Sequence, residues 1–341
     1  MLPYQSFSRL SLLLLSLAVF SLTGCNDDDD TFLGIDFDDD GTLFLSSNTS
    51  GTVGVLNLED GDMPAIETFM AAGTDADGLF YESGEGNLYQ VNRSDSTVVE
   101  YNDVIDDLDD PNGVDVEARS TSDFTNGRGL AANDQRVVVA QQGVDANDNR
   151  NRLIVYDISN DDDVIELSAS YPTNIALWGV QFVGDDLYAV VDKSDSVAVY
   201  TNFLANTNGD TIMPTRYIKV DGITRTHGLE YNADDDIMIL TDIGAADNST
   251  DGALIVIRDF STLGMADMVA TDRYTRIGGD ATRLGNPVDV AYDMDTDRIY
   301  VAERATGSGV LLIFSGDASD NAAPLRSIPF VGLSSLYLHR D

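Results

Sequence analysis

From about residue 32 onward the chain is built of short runs in which apolar and polar residues alternate. No segment sustains the i, i+3, i+4 apolar spacing of an amphipathic helix. The runs repeat in a fixed order: a glycine opening an apolar strand, an acidic turn, a second strand, a polar loop and a third strand. One copy reads Gly78-Leu79-Phe80-Tyr81, then Asn87-Leu88-Tyr89-Gln90-Val91, then Thr97-Val98-Val99-Glu100-Tyr101. Copies start at Gly34, Gly78, Gly129, Gly179, Gly228 and Asp289, 44 to 61 residues apart, the last with aspartate in place of glycine. The gaps between copies hold a fourth strand in each case: 65–70, 114–119, 165–171, 215–220, 274–278 and 325–330.

Four short strands every 40 to 50 residues is the period of a propeller blade. One such sheet cannot bury both faces alone, whereas a closed ring packs each sheet between two neighbours. The expectation is therefore all-β, a six-bladed β-propeller over residues 32–341. The segment Gly332-Leu333-Ser334-Ser335-Leu336-Tyr337-Leu338 looks like a seventh innermost strand with no blade behind it. It either closes the ring on the N-terminal blade, displacing the segment around Gly34, or starts a seven-bladed or partial seventh-blade variant. Stretches such as Asn87-Leu88-Tyr89-Gln90-Val91-Asn92-Arg93-Ser94-Asp95-Ser96-Thr97-Val98 resemble the YVTN and NHL propeller repeats. The resemblance spans nearly all of 32–341 and implies a fold without implying a function.

The N-terminus belongs to a different class. Met1–Arg9 carries one positive charge and no acid, and an apolar run follows at Leu10–Phe20. That run is too short for a bilayer, which takes about 20 residues, and has the layout of an export signal. It ends in Leu22-Thr23-Gly24-Cys25, which resembles the lipobox of bacterial lipoproteins. The resemblance implies cleavage after Gly24, a signal peptide of 1–24, and lipidation of Cys25 with acyl chains such as palmitate. Cys25 is the sole cysteine, so it has no disulfide partner in the chain. Residues 25–31, with acids at Asp27–Asp30, form a lipid-anchored acidic linker. The expected location is the cell envelope, with the outer membrane favoured and membrane contact through the anchor alone.

Charge narrows the partners. Of 19 basic residues the signal removes one, Arg9, so 18 remain against 59 acidic, taking the net charge from −40 to −41. Such a field repels nucleic acid. Apolar residues make up 43 % of the chain, enough for a true core. The acids are spread along the whole chain, and lysine is reduced to Lys193 and Lys219, a surface similar to that of proteins from salty habitats.

In propellers the residue ahead of the innermost strand tends to face the channel mouth. Aligning the copies on their first residue puts Leu33, Asp77, Arg128, Trp178, His227 and Val288 there. A second ring, where the second strands end, holds Asn48, Arg93, Gln142, Asp192, Asp242 and Arg304, with Asn92 and Glu303 one residue earlier. Together they make candidate ligand-binding residues of Asp77, Asn92, Arg93, Arg128, Trp178, Asp192, His227, Asp242, Glu303 and Arg304. His227 could act as base or metal ligand, and Asp77, Asp192 or Asp242 could donate oxygens to Ca2+. Calcium-dependent gluconolactonase-like propellers use a similar cup, although their signature strings are absent here. The ordinary alternative is that these residues cap blades and saturate turn amides, with Trp178 a wedge between blades.

Two further stretches imitate calcium loops. Asp36–Gly41 starts like an EF-hand but has Ser47 where a glutamate is needed, and Asp293, Asp295 and Asp297 are followed by Arg298 where glycine is needed. The long insertions 143–152, with Asp145, Asn147 and Asn149, and 242–251 are better cation candidates. The functional expectation is a binding or scaffold module for an envelope protein or small molecule, or alternatively a cation-dependent hydrolase or lactonase working at the channel mouth.

Overall fold

The computed structural model describes residues 41–58, 65–159, 164–245, 248–263 and 268–340. Cys25, the signal, the linker and Gly34–Phe37 lie outside them. The strands form six antiparallel sheets, each blade running outward from an innermost strand. Blade 2 is Ala76–Glu82, Asn87–Asn92, Thr97–Tyr101 and Val116–Arg119; blade 3 is Gly127–Asn133, Arg136–Gln141, Asn151–Ser159 and Val164–Thr173. Blade 4 is Leu177–Val183, Asp186–Val191, Ser196–Tyr200 and Arg216–Val220. Blade 5 is Thr226–Asn232, Ile237–Asp242, Ala253–Arg258 and Thr275–Gly278, and blade 6 is Pro287–Asp293, Arg298–Glu303, Val310–Ser315 and Arg326–Pro329.

Blade 1 joins the two ends of the chain. Its outer strands are Gly41–Ser47, Thr52–Asn57 and Glu67–Met70, but its innermost strand is Leu333–Arg340, paired antiparallel to Gly41–Ser47. The apparent seventh innermost strand is thus the closing strand of a six-bladed ring, and no seventh sheet exists among the described residues. The slot expected for Gly34–Phe37 is filled, and the hub position expected for Leu33 belongs to Ser334. Side chains lock the seam: Ser47 Oγ donates to the Val331 carbonyl (2.8 Å), and Ser334 Oγ lies within bonding distance of the Ala76 carbonyl (3.0 Å). Blade 4 alone has a fifth strand, Met268–Val269, added in parallel to Arg216–Val220.

Why a ring forms is visible in the core. The apolar residues divide into six clusters, each drawn from two adjacent blades, such as Val138, Leu153 and Tyr171 of blade 3 with Leu187, Ala189 and Tyr200 of blade 4. Alternation along each strand sends successive side chains to opposite neighbours. The innermost strands touch their successors all the way round, and glycine is needed where they meet. A Cβ on Gly129 would stand 2.7 Å from the Trp178 carbonyl oxygen, and one on Gly179 2.7 Å from that of His227. The sixth-blade position, Asp289, and its blade 1 equivalent, Ser335, do carry side chains, and they bond to each other: Ser335 Oγ donates to Asp289 Oδ2 at 2.6 Å. Every innermost strand has a register shift at this point. A bulge re-aims side chains, and here the residues re-aimed include Asp77, Arg128, Trp178 and His227.

Candidate functional site

The bulged residues and the ends of the second strands meet at one end of the hub. Arg93 donates from Nη1 to Asp77 Oδ2 (2.9 Å) and from Nε to Asp75 Oδ1 (3.0 Å), and a second Arg93–Asp75 contact is shorter still. Arg128 reaches the same Asp77 oxygen at 3.4 Å and places two N–H groups on Gln142 Oε1 (3.2 and 3.0 Å). Gln142 Nε2 donates to Asp192 Oδ2 (2.6 Å), and Arg225 clamps Asp192 Oδ1 through Nε (2.9 Å) and Nη2 (2.8 Å). His227 Nε2 lies 3.3 Å from that same oxygen.

Trp178 ties the two halves together. The Arg128 guanidinium carbon is 3.9 Å from one indole ring centroid, and the His227 ring stacks at 3.8 Å with a 9° interplanar angle. The guanidinium and the imidazole thus both lie against the indole. Blades 2 to 5 are thereby joined by one run of ion pairs and stacked planes, Asp75–Arg93–Asp77–Arg128–Trp178–His227–Asp192–Arg225. A guanidinium over an indole is attracted by the ring quadrupole, and more strongly when desolvated.

Burial sets the charges. Burial alone would raise the Asp192 carboxyl, but the His227 hydrogen bond and the Arg225 guanidinium overcome it and hold the group at about 2. Burial lowers His227 despite its Asp192 bond, so the imidazole is neutral near pH 7. An ionised carboxylate can only accept, so His227 Nε2 carries the proton and Nδ1 keeps its lone pair. That Nδ1 is buried and has no hydrogen-bond partner among the described residues.

Beneath this clasp lies a partly open chamber of about 250 Å³. Asp77, Trp178 and His227 border it, with Leu79, Phe80, Gln181, Glu230, Asp289 and Tyr337 among its other walls. Two of its acids are displaced from ordinary behaviour. Burial, reinforced by Asp289, raises Glu230 to about 8 against a partial offset from Gln181. Burial also raises Asp289 to about 6 despite its bonds from Ser335, Leu336 and Val290. Glu230 sits inside an innermost strand and carries no motif, its only signal in the sequence an acid within an inner-strand run, whereas Asp289 shows there only as the aspartate replacing the opening glycine of the sixth copy.

The remaining sequence candidates stand apart from this assembly or serve their own loops. Asp242 accepts from the backbone N–H groups of Thr224, Arg225 and Gly244. Glu303 accepts from those of Gly285, Asn286, Ala305 and Thr306. Asn92 accepts from Ser94 N and donates to Asp95. Arg304 pairs with Asn48, whose amide also donates to the Gly332 carbonyl. In the 143–152 loop, Asn147 Oδ1 accepts from Val144 N and Arg150 N while Asn149 donates to Asp145. Asp293 accepts from Asp295 N and Thr296 Oγ1 and pairs with Arg340. Among the described residues no group of three His, Cys, Asp or Glu side chains is placed to hold a metal ion.

No protein-family model matches the chain, and no curated protein matches it in sequence. Solved structures match in fold. A chain of a nidogen/laminin complex aligns with a TM-score of 0.59 at 13% identity, covering 87% of this chain and 98% of that one. A proposed 6-phosphogluconolactonase of Bacteroides uniformis aligns with a TM-score of 0.56 at 11% identity, covering 88% and 100%. Another, from Bacteroides fragilis, aligns with a TM-score of 0.55 at 14% identity, covering 89% and 98%. At these identities the likeness is one of fold alone.

Proposed function

We propose that this protein is an exported, lipid-anchored binding module that holds a small molecule in the hub chamber. The YVTN/NHL-like repeats supply the scaffold and acylated Cys25 the anchor. The observation carrying the ligand reading is the hub chamber itself: two acids with no basic partner among the described residues, Glu230 and Asp289, line one cavity together with Phe80, Trp178 and Tyr337. Buried acids are as a rule paired, and a hydrogen-bonding ligand supplies the missing partner. The charged groups of the clasp saturate one another.

The experiment is native mass spectrometry and thermal-shift screening of the purified full-length protein, alongside Ala132→Phe, which places a ring in the chamber wall. A bound small molecule lost in Ala132→Phe supports the reading. Retention of every ligand in that variant removes it, as does capture of a protein partner with no small ligand. For the anchor, Cys25→Ser should move the protein from the membrane to the soluble fraction and abolish incorporation of a labelled fatty acid. The Asp192–His227 pair also favours a second reading, a hydrolase or lactonase using Nδ1 as base. Turnover of a lactone panel that is lost in His227→Gln would establish it.

A further inference from the structure

We propose that the chamber is selective for a small organic ammonium ion, held by Glu230 and Asp289; this rests on the hub-site reading and assigns its ligand class. The wall is supplied with acceptors. Three acids border it, and neither lysine nor arginine does. Asp77 is committed to Arg93 and Arg128. The Gln181 amide bonds both backbone groups of Tyr231 (3.2 and 2.7 Å) and offsets only part of the burial of Glu230. Glu230 has no guanidinium beside it, and its nearest charged neighbour, Asp289, repels it.

Such a surface asks for a positive ligand carrying several N–H donors. A primary ammonium has three. The remaining walls suit its carbon part: Phe80 and Tyr337 stand edge to face at 5.6 Å, and a cation near aromatic faces gains further attraction. The guanidiniums closest to it, Arg93, Arg128 and Arg225, are not among the chamber's lining residues and are paired with Asp75, Asp77 and Asp192. A chamber of about 250 Å³ falls just below the roughly 300 Å³ at which drug-sized pockets begin, and since about 150 Å³ already holds a benzene ring, it has room for a compact amine.

Binding has a proton balance. The groups facing Glu230 are Asp289 on the next blade, Tyr337 on the closing strand and the neutral Gln181 on the preceding blade, with His227 and Asp77 toward the clasp. Near pH 7 Glu230 holds its proton, so an arriving ammonium converts the carboxylic acid to a carboxylate and sends one proton to solvent. No other bond is made or broken.

The test is calorimetric titration of the full-length protein with n-propylammonium, 1-propanol, propionate and Ca2+ between pH 6 and 8. Propylammonium should bind 1:1, tighten toward tenfold per pH unit, and show heats that vary with the buffer's ionisation enthalpy. 1-Propanol should bind at least tenfold more weakly, and Glu230→Gln should abolish the pH slope above pH 7, where Asp289, raised to about 6, is already ionised. The proposal is overturned if propylammonium fails to bind, if propanol or propionate binds as tightly, if Ca2+ alone occupies the Glu230 site, or if Glu230→Gln keeps that slope. Should Ala132→Phe abolish binding of a neutral or anionic probe instead, the hub site stands and only its ligand class falls. If that variant leaves every probe bound, the hub reading itself falls.

Discussion

Replacing Glu230 by glutamine should make the empty protein more stable, and increasingly so as pH rises. The carboxyl is moved from an ordinary 4.5 up to about 8, first by burial and then by Asp289. A raised carboxyl means the folded state holds the proton more tightly than the unfolded chain does. Its contribution is therefore fully present below pH 4.5 and is lost as pH climbs through 8. At about 1.4 kcal/mol per pKa unit, the loss across that window is on the order of 3–5 kcal/mol. Glutamine has nearly the same shape as the protonated acid and never ionises. At pH 5 the two proteins should differ by about 1 kcal/mol or less. By pH 9 the variant should lead by several kcal/mol, the gap opening at up to about 1.4 kcal/mol per pH unit. Urea unfolding at pH 5, 7 and 9 measures this directly, because all other titrating groups are common to both proteins. A gap that stays constant with pH would show that Glu230 is ionised or solvated in the folded hub, and the chamber argument would fail with it.

Three other outcomes follow from the same coordinates. Gly129→Ala forces a Cβ to within 2.7 Å of the Trp178 carbonyl and should cost about 1–3 kcal/mol by overpacking, seen as a lowered unfolding midpoint. Deleting 333–341 removes the innermost strand of blade 1 and bares the Gly41–Ser47 edge; such open edges aggregate, and size-exclusion chromatography should show loss of the monomer. Trp178 is the only tryptophan, so its emission reports the clasp. Arg128→Ala should shift that emission to the red as the guanidinium leaves the indole face, and unchanged emission would mean the stack does not exist in solution.

The ring was legible because its geometry is written in repeated constraints. Close approach at the hub demands glycine at Gly78, Gly129, Gly179 and Gly228, and that demand supplied the alignment from which Asp77, Arg128, Trp178 and His227 were picked. The closing strand was ambiguous for a physical reason: Gly34–Phe37 and Leu333–Leu338 carry the same alternation, and either could complete the Gly41–Ser47 sheet. Local pattern does not choose between them, whereas long-range pairing and the Ser47 and Ser334 side-chain bonds at the seam do. Met268–Val269 was invisible because two residues cannot show a period.

Residue type and spacing are equally silent on which way a carboxylate turns. Asp192 and Asp242 look equivalent in the sequence, but the register sets them one residue apart: Asp242 pairs with Thr226 as Asn92 does with Ala76 and Glu303 with Pro287, whereas Asp192 lies one residue beyond the matching Val191–Leu177 pair. Successive side chains of a strand point to opposite sides, so Asp192 faces Arg225 and His227 across a blade boundary while Asp242 folds back on loop amides. Arg225 and His227, both from blade 5, offer Asp192 charged and ring N–H donors, and the same segment offers Asp242 only backbone N–H. A hub of this kind therefore acquires a site where adjacent blades place unlike groups at like positions. Glu230 illustrates it: blades 4 and 6 present it with Gln181 and Asp289 rather than a base, and an acid left without a cation inside the protein is what gives the chamber its chemistry.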